Sequence, residues 1–582
     1  MATSTDAAVA PAYTVQTLHF KVSAGPAQPD CDIVGDLYLP RGASASRPVP
    51  AIMATNGFGG SKDDQAEMGV LFASRGYAVL SYSGLGFGGS DCKITLDDPD
   101  IDGVAGSQLV SFLGGAPGIA FTDDAHTQPV APLRVIETDK RAHDGKAHRH
   151  DPRVGMMGGS YGGQIQFAIA SVDPRLDTII PMITWSDLTY SLGPNNTGQA
   201  PGTVRPTTPG AAKLAWSLGF TGSGVANGVQ HGQTDPHRLV GCPNFADFVC
   251  PTLAHAGVTG HLDDAGIAAM RHASVSSYID RIRIPTFLLQ GEADTLFNLN
   301  EASATYRALR AQGTPVKMIW HSWGHSGDPA PGDFDHSVLD PSGQYETGRI
   351  VRWFDHYLKG DAGSTGPRFA YFRDWIDYEG NARPAYATAN QPSVGTPHIL
   401  HLGGSALTAD PAAATGSQSF VTPPAGAPAS TNPLDAVNYL TPVSLPEADA
   451  RGTFASWDTG ALAQALDVVG PPVLDLRVEA PVAASTQSGG PAGMLVLFAR
   501  LQDVAPDGTV HDIKQQIAPM RISDATVPVR VTMPAIVHRF EAGHRLRLVV
   551  SSSSVNYRGG LVSQPVTIAG GPAQRLTLPV VS

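Results

Sequence analysis

The chain has 582 residues, which is too long for a single hydrophobic core and predicts two or three domains. Apolar residues make up 42% of it and charged residues 16%, an ordinary balance for a folded protein that excludes a disordered chain. The formal net charge of −13 leaves no basic stripe to neutralise phosphates, which excludes nucleic acid as the main partner. No apolar run approaches the ~20 residues needed to span a bilayer, so we expect no membrane partner.

The start of the chain and its cysteines bear on the compartment. The first residues have neither a basic region nor an apolar segment of the type that directs export, which predicts a cytoplasmic protein and leaves a mature secreted form open. Cys31, Cys92, Cys242 and Cys250 fit no zinc-binding spacing. Cys242 and Cys250 are near enough in sequence for a local disulfide, but free thiols are the expectation for a cytosolic enzyme.

Up to residue 184, and again after residue 284, short extended runs alternate with helical patterns. Helices are predicted at 63–75, 164–171 and 345–358. Strands separated by helices favour a parallel sheet that is covered on both faces. The predicted strands are Thr14–Val22, Cys31–Leu39, Val49–Thr55, Tyr77–Tyr82, Val154–Met157, Thr178–Ile183, Thr286–Leu289 and Val316–Trp320.

Two stretches break this alternation and predict further domains. Between residues 185 and 284 the strand pattern stops, and about 100 residues are too many for a simple loop, which predicts an inserted cap domain. From residue 363 to 582 the chain is rich in Val, Pro, Gly and Thr with short alternating runs, which is typical of an all-β sandwich. The α/β domain is then assembled from residues 1–184 and 285–362.

Gly158, Ser160 and Gly162 form a G-x-S-x-G pattern between a short apolar strand and a helix. A sharp strand-to-helix turn leaves no room for side chains at the two glycines, and its strained backbone presents the serine hydroxyl above the sheet. The positive N-terminal end of the following helix favours a developing oxyanion. In a chain with 64 glycines the pattern alone is weak, but its strand–turn–helix context predicts Ser160 as a nucleophile.

A serine hydroxyl is a poor nucleophile unless a base removes its proton and a carboxylate orients that base. In folds with this turn, the acid and then the histidine follow at the ends of later strands. Asp294 and His325 occupy these places, which predicts a catalytic set of Ser160, Asp294 and His325. Glu292 is a rival acid that lies closer to its strand end. His321 is a rival base whose place at the end of a strand favours a structural role.

An oxyanion hole needs two backbone donors directed at the developing charge. The N–H group of Tyr161, which directly follows the nucleophile, is predicted to be one of them. The second is expected from the glycine-rich loop after the Val49–Thr55 strand, where the backbone can approach a substrate. We assign it to the N–H group of Phe58, with Gly57 as the alternative.

Six segments carry a resemblance to a known family. They are Gly158–Gly163, Gln290–Asp294, Gly324–His325, Trp353–Gly360, Leu501–Gly508 and Phe540–Leu548. In these segments the chain resembles the cocaine esterase / Xaa-Pro dipeptidyl-peptidase family, and the resemblance covers nearly all of the chain. It implies an α/β-hydrolase fold with an inserted helical cap and a C-terminal all-β jelly-roll domain. It also implies that the active site lies where these three parts meet.

Two departures from the family pattern bear on the substrate. Phe58 stands where family members often have a tyrosine whose hydroxyl is an oxyanion donor. After the strand Tyr77–Tyr82 the family often has an Asp-x-Arg-Gly run, where this chain reads Ser81–Gly84, and no acidic pair is evident for a free N-terminal amine. Amides have a poorer leaving group than esters and need fuller oxyanion support. The departures therefore favour an ester or a lactone over a peptide.

The aromatic residues of the inserted stretch are candidates for a specificity pocket. Trp185 and Tyr190, and in addition Trp216, are predicted to line an apolar pocket, although the same side chains would also suit the core of the insertion. The sequence thus predicts a serine hydrolase of small-molecule esters, including bulky esters or macrolactones, that uses no metal and no cofactor. It leaves a homo-oligomer open. The rival functions are an Xaa-Pro peptidase, a catalytically inactive carbohydrate-binding module and an acyltransferase.

Overall fold

An eleven-stranded sheet forms the framework of the first part of the chain. The structure is a computed structural model, and it describes residues 12–25, 30–200, 202–431 and 447–581. Within these residues, no helix is both long and apolar enough to cross a membrane. The strands of this first sheet are β1 (Tyr13–Ser23), β2 (Asp30–Pro40), β3 (Ala51–Thr55), β4 (Ala78–Tyr82), β5 (Ala120–Phe121), β6 (Val154–Gly159), β7 (Thr178–Met182), β8 (Thr286–Gly291), β9 (Val316–His321), β10 (Phe369–Phe372) and β11 (Tyr386–Ala389).

The middle of the first sheet is parallel, as the sequence predicts. The strand order is β11-β10-β9-β8-β7-β6-β3-β4-β2-β1-β5, and all neighbours from β10 across to β4 run parallel. The outer pairs β10–β11, β2–β4, β1–β2 and β1–β5 are antiparallel, so the sheet as a whole is mixed. Strands β3 and β4 are buried at every position, which explains why they form short continuous apolar runs in the sequence.

Helices cover both faces of the first sheet. Along β3, Ala51 and Met53 share a core with the helices at 104–113, 161–172 and 299–311. Ile52 and Ala54 share another core with the helices at 66–74 and 345–359. Successive side chains of one strand thus enter two separate cores, as expected for a parallel sheet covered on both sides. The helices are α1 (Ala66–Ser74), α2 (Val104–Leu113), α3 (Tyr161–Val172), α4 (Leu188–Leu192), α5 (Leu214–His231), α6 (Val249–Thr259), α7 (Asp264–His272), α8 (Leu299–Ala311) and α9 (Tyr345–Lys359).

A mostly helical insertion separates β7 from β8 and contains α4 to α7. Its apolar core includes Trp216, Leu262 and Met270, and the same core extends onto Phe87 and Tyr161 of the sheet-containing part. Because Tyr161 is the first residue of α3, the insertion packs at the edge of the sheet where α3 begins. Its assignment as a separate cap domain stays a prediction.

Within its described residues, the C-terminal part is all-β apart from one short α-helix and several 3₁₀ turns, as the sequence predicts. Its main sheet has twelve strands, and β14–β26 and β15–β16 form two further pairs. The jelly-roll assignment of this part stays a prediction. Its elements are β12 (Thr396–Gly403), β13 (Ala406–Thr408), β14 (Ser417–Val421), β15 (Ser430–Thr431), β16 (Ala448–Asp449), β17 (Phe454–Asp458), β18 (Leu466–Gly470), β19 (Val473–Leu476), α10 (Pro481–Thr486), β20 (Leu495–Val504), β21 (Val510–Asp512), β22 (Ala518–Ile522), β23 (Val529–Thr532), β24 (Ile536–Phe540), β25 (Arg545–Ser551), β26 (Pro565–Ala569) and β27 (Arg575–Val581).

The first sheet ends later in the chain than the predicted boundary after residue 362. Strand β10 pairs in parallel with β9, and β11 pairs with β10, so the first sheet continues to Ala389. The second sheet begins at Thr396. Strands β10 and β11 have only four residues each, and runs this short carry too little periodicity to be separated from the strands that follow.

The four cysteines form two disulfides, so the expectation of free thiols is wrong. Cys242 is bonded to Cys250 inside the insertion, and Cys31 of β2 is bonded to Cys92 in the segment after β4. The second pair is separated by 61 residues in sequence, and only the pairing of β2 with β4 brings its members together. Disulfides are typical of oxidising compartments, and the cytoplasmic location stays a prediction.

Glu301 of α8 is buried at the base of the insertion. Its Oε2 accepts hydrogen bonds from the N–H groups of Ser186 (2.7 Å) and Asp187 (3.2 Å), and its Oε1 accepts one from Ser191 Oγ (2.6 Å). Burial outweighs these bonds and raises the pKa of Glu301 to about 8. The folded protein therefore holds this proton more tightly than the unfolded chain, in which a glutamate has a pKa of ~4.3. The contribution of this proton to the free energy of unfolding is complete below the pKa of the unfolded chain. It is lost as the pH rises through the folded value of about 8.

We predict that Glu301→Gln makes the stability of the protein less dependent on pH. The amide keeps the shape of the side chain, its oxygen can accept from the N–H groups of Ser186 and Asp187, and its NH2 group can donate to Ser191 Oγ, but it has no proton to lose. Thermal unfolding should be measured from about pH 5 to about pH 9, across the two pKa values. The midpoint of the parent protein should fall more steeply than that of the variant, and Glu541→Gln, at an exposed position, should follow the parent. Parallel curves for the parent and Glu301→Gln would contradict this account.

Candidate active site

Ser160 lies at a sharp turn between β6 and α3, and its backbone angles are φ 58° and ψ −120°. A positive φ is uncommon for a residue with a side chain and marks a strained turn. A Cβ atom at Gly162 would lie 2.4 Å from the carbonyl oxygen of Thr55. One at Gly158 would lie 2.7 Å from the carbonyl oxygen of Gly162. Both positions therefore require glycine because other backbone segments approach them closely, which is the reason that the motif suggested.

Gln166 connects this turn to the neighbouring strand. Its Nε2 donates to the carbonyl oxygens of Gly162 (2.9 Å), Gly158 (3.2 Å) and Ile180 (3.2 Å), and its Oε1 accepts from the N–H group of Ile180 (3.0 Å). The side chain is fully buried. Sequence analysis missed Gln166. The available signal was an amide side chain on the otherwise apolar inner face of α3, four residues after Gly162.

His325 connects Ser160 with Asp294. Its Nε2 lies 2.9 Å from Ser160 Oγ, and its Nδ1 lies 2.7 Å from Asp294 Oδ2. Asp294 is fully buried, and its Oδ1 accepts hydrogen bonds from the N–H groups of Leu296 (2.9 Å) and Phe297 (2.8 Å). A carboxylate that accepts from Nδ1–H selects the tautomer whose Nε2 can receive the serine proton. The three side chains singled out by the sequence are thus joined by hydrogen bonds.

The loops after β8 and β9 hold Asp294 and His325 in position. Ser326 N–H donates to the carbonyl oxygen of Ala293 (2.9 Å), and Ser326 Oγ contacts Thr295 Oγ1 (2.8 Å), so the two loops are bonded to each other. The imidazole of His325 packs edge-on against two aromatic rings, at centroid distances of 5.2 Å from Phe297 and 6.0 Å from Trp216. These contacts restrict the orientation of the ring towards Ser160.

The two rival residues have other partners. Glu292 is buried, and its Oε1 accepts a hydrogen bond from the N–H group of Phe372 on β10 (3.1 Å). Burial raises the pKa of Glu292 well above its usual range. His321 is fully buried, with Nδ1 2.7 Å from Glu346 Oε2 of α9. Both side chains therefore serve the packing of the sheet, as the sequence suggested for His321.

The predicted oxyanion donors lie beside the serine. Tyr161 is the first residue of α3, so its N–H group has no acceptor inside the helix. The loop after β3 approaches from the other side, because a Cβ atom at Gly57 would lie 3.9 Å from Ser160 Cβ. Asn56 supports this loop by donating to the carbonyl oxygen of Gly57 (2.7 Å) and accepting from the N–H group of Gly84 (2.9 Å). The structure leaves both Phe58 and Gly57 as candidates for the second donor.

An apolar cavity of about 90 Å³ adjoins Ser160. Its polar side-chain groups are hydroxyls and the indole N–H of Trp185, and no charged side chain is among the described residues that line it. Trp185 is one of the two residues predicted to line a substrate pocket. Most of the remaining lining comes from the helical insertion, including Leu214, Phe220, Phe245, Val249, Thr252 and Ala256.

Tyr190 does not line this cavity and is a structural residue in the insertion. Its hydroxyl accepts hydrogen bonds from Asn196 Nδ2 (3.1 Å) and Asn298 Nδ2 (3.2 Å), and only 1% of the side chain is exposed. The prediction that Tyr190 lines the substrate pocket is therefore wrong. Tyr190 and Trp185 are five positions apart on either side of a helix start, and the sequence pattern cannot separate an inward-facing ring from one that faces the cavity.

A buried carboxyl lies next in sequence to the lining of the cavity. Asp97 follows Leu96, which lines the cavity, and its N–H group donates to the hydroxyl of Tyr161 (3.0 Å). Burial, and then the neighbouring Asp102, raise the pKa of Asp97 well above its usual range. Burial also raises the pKa of Asp102, to about 7. The shift favours the uncharged form of the Asp97 carboxyl, and Asp97 is not among the described residues that line the cavity.

A serine on a strained strand-to-helix turn, bonded in series to a histidine and a buried aspartate above a largely parallel sheet, defines the class of serine hydrolases. Two family models match the chain. That of the X-Pro dipeptidyl-peptidase (S15 family) matches residues 31–327, and that of the X-Pro dipeptidyl-peptidase C-terminal non-catalytic domain matches residues 382–560. The chain belongs to the S15 X-Pro dipeptidyl-peptidase family, which confirms the resemblance seen in the sequence.

Several solved structures share this fold over almost their whole length. An aminopeptidase from a marine sediment Thaumarchaeota archaeon is 14% identical with a TM-score of 0.61, covering 98% of this chain and 97% of its own. A CocE/NonD family hydrolase from Staphylococcus aureus is 13% identical with a TM-score of 0.60 and 97% of both chains covered. An α-amino acid ester hydrolase is 17% identical with a TM-score of 0.60, covering 98% and 97%. Curated protein sequences give no significant match.

We predict that Gln166→Leu destabilises the protein by about 2 kcal/mol or more, because it leaves the N–H group of Ile180 and two glycine carbonyls buried without their partner. Urea unfolding followed by intrinsic fluorescence measures this loss. Gln128→Leu is the matched control at an exposed position, and it should change the stability by no more than ~0.5 kcal/mol. Equal stability of the two variants would refute the importance of Gln166 for the turn.

Proposed function

We propose that the chain hydrolyses carboxylic esters through an acyl-enzyme on Ser160. The observation that carries this proposal is the hydrogen-bonded series at the turn, with His325 Nε2 2.9 Å from Ser160 Oγ and Nδ1 2.7 Å from Asp294 Oδ2. Membership of a hydrolase family supports the reaction class, and the preference for esters is our own inference.

The geometry supports a two-step mechanism. Nε2 of His325 accepts the proton of Ser160 as Oγ attacks the ester carbonyl, and Asp294 stabilises the imidazolium that forms. In this mechanism the N–H group of Tyr161 and one from the loop after β3, that of Phe58 or its alternative Gly57, stabilise the oxyanion. The imidazolium then gives its proton to the leaving alkoxide, and the alcohol departs. Water attacks the acyl-enzyme with His325 again as base, which releases the acid and restores Ser160.

The character of the cavity supports an ester with a neutral acyl group. A free amine is charged at neutral pH, and its transfer into an apolar cavity costs several kcal/mol unless an anion is present. No charged side chain is among the described residues of the lining, and burial disfavours the charged form of Asp97 nearby. Phe58 also lacks the hydroxyl that would assist with an amide. Simple esters fit these observations, and bulky esters or macrolactones fit if the helical insertion acts as a movable cap.

The second candidate function is an Xaa-Pro dipeptidyl peptidase, which the description of both family models favours. A p-nitrophenyl butyrate and an Ala-Pro p-nitroanilide, offered to the same purified protein, separate the two. We expect the ester to be cleaved with the higher kcat/KM. A higher kcat/KM for the anilide would replace the ester proposal by the peptidase.

We predict that Ser160→Ala lowers kcat for p-nitrophenyl butyrate by at least ~10³-fold and leaves the thermal midpoint near that of the parent protein. The reason is that the variant lacks the attacking oxygen while the surrounding contacts remain. The exposed Ser485→Ala is the control and should be fully active. A fluorophosphonate should label the parent protein and Ser485→Ala but not Ser160→Ala. Undiminished turnover by Ser160→Ala would exclude the proposed nucleophile.

We predict that Ala256→Leu selects against long acyl groups. Ala256 lies on α6, is 2% exposed and lines the cavity, so a larger side chain fills space that the acyl chain would use. For p-nitrophenyl hexanoate kcat/KM should fall by about 10-fold or more, with a smaller change for the acetate. Ala254→Leu, on the exposed side of the same helix, is the control. If both esters lose activity equally, the cavity is not the acyl pocket.

A further inference from the structure

A hydrogen bond from the C-terminal part reaches the acid of the proposed catalytic set. Nε2 of Gln516 donates to the backbone carbonyl oxygen of Asp294, at 2.9 Å. Gln516 lies between β21 and β22 and is only 8% exposed. The carboxylate of the same residue contacts His325. The bond from Gln516 therefore restrains the peptide group next to the Cα atom that carries this carboxylate.

The segment that carries Gln516 is a strained turn. Lys514 has φ 48° and Gln515 has φ 55°, and neither residue is a glycine. Left-handed conformations of this kind are unfavourable for residues with a side chain and persist only where the surroundings over-determine them. The start of the turn is fixed by Asp512, whose Oδ1 accepts hydrogen bonds from Arg500 Nε (3.0 Å) and Gln502 Nε2 (2.8 Å) of β20.

A second contact of the same turn reaches the same region of the first domain. Lys514 Nζ donates to Asp374 Oδ2 at 2.6 Å, in the segment that follows β10. Phe372, the last residue of β10, donates its N–H group to Glu292, which lies two residues before Asp294. The turn at 512–516 is thus bonded to the first part of the chain at two places, the loop that carries the acid and the segment after β10.

We propose that Gln516 is a positioning residue for Asp294, so that the C-terminal part takes part in catalysis through its turn at 512–516. The matching family model describes this part as non-catalytic, and our inference goes beyond that description. The inference rests on the proposed function, because it assigns Gln516 a role through Asp294 and His325. Gln516 itself touches neither the nucleophile nor the base in the hydrogen bonds that the structure describes.

The expected effect is on turnover rather than on binding. Removal of the Gln516 donor frees the carbonyl of Asp294, and the carboxylate can then depart from the position that orients the imidazole. Displacements of about 1 Å in such groups lower rates by up to ~100-fold. The apolar cavity receives no side chain from this turn, so substrate affinity should be preserved.

The test uses Gln516→Met in the full-length protein, because methionine keeps the length of the side chain and removes the donor. With p-nitrophenyl butyrate, kcat should fall about 10- to 100-fold and KM should change less than ~3-fold. Asn300→Leu is the matched control. Asn300 is also 8% exposed, and it also joins the two domains, by bonds to the carbonyl of Met533 (3.0 Å) and the N–H group of Ala535 (3.1 Å). This control should lower the thermal midpoint and keep kcat within ~3-fold of the parent, because it leaves the contact with Asp294 intact.

A double-mutant cycle with Asp294→Asn separates positioning from general destabilisation. If Gln516 acts through Asp294, its substitution should have little further effect on kcat in the Asp294→Asn background, because residues that act as a unit are non-additive. Equal falls in both backgrounds, or a parent-like kcat for Gln516→Met, would overturn the inference. Ser160→Ala distinguishes this outcome from failure of the proposed function. If Ser160→Ala is inactive and Gln516→Met is fully active, the proposed function stands and only the positioning role is lost.

Discussion

The backbone conformation of Ser160 is the constraint on which the site depends. With φ 58° at the end of a buried strand, Ser160 directs its hydroxyl out of the sheet. This turn brings neighbouring backbone close to Gly158 and Gly162, where a side chain would not fit. The cost of the conformation is offset by hydrogen bonds from Gln166, which join the turn to β7. The position of the nucleophile is therefore determined by the sheet core and not by a surface loop.

The base and the acid must match this rigid position, and they come from loops that depend on each other. The loops after β8 and β9 are bonded at Ala293 and Ser326, and aromatic rings from the loop after β8 and from α5 of the insertion border the imidazole. Asp294 accepts two hydrogen bonds from its own loop and one, at its carbonyl, from the C-terminal part. The geometry at Ser160 thus combines contributions from the first sheet, the helical insertion and the second sheet.

The cavity beside Ser160 depends on apolar packing and not on hydrogen bonds. The insertion contributes aliphatic and aromatic side chains to the cavity, with hydroxyls and the indole N–H of Trp185 as its polar groups. Burial makes the charged form of the nearby Asp97 carboxyl unfavourable. A catalytic set common to hydrolases is therefore combined with a pocket whose electrostatics oppose a charged amine, and we infer the ester preference from this combination.

The sequence by itself determined the strands β1–β4 and β6–β9 and the helices α1, α3 and α9 of the first part, the all-β character of the C-terminal part, and Ser160, Asp294 and His325. Each of these follows from a local pattern, either hydrophobic periodicity or a short motif at a fixed offset from a strand end. Only the tertiary structure decided the pairing of Cys31 with Cys92, the structural role of Tyr190, the addition of β10 and β11 to the first sheet, and the contacts of Gln166 and Gln516. These features join side chains or strands that are distant in sequence or hidden in a core. A hydrogen bond or a disulfide of this kind leaves no periodic signal, because its partner is specified by the fold and not by neighbours along the chain.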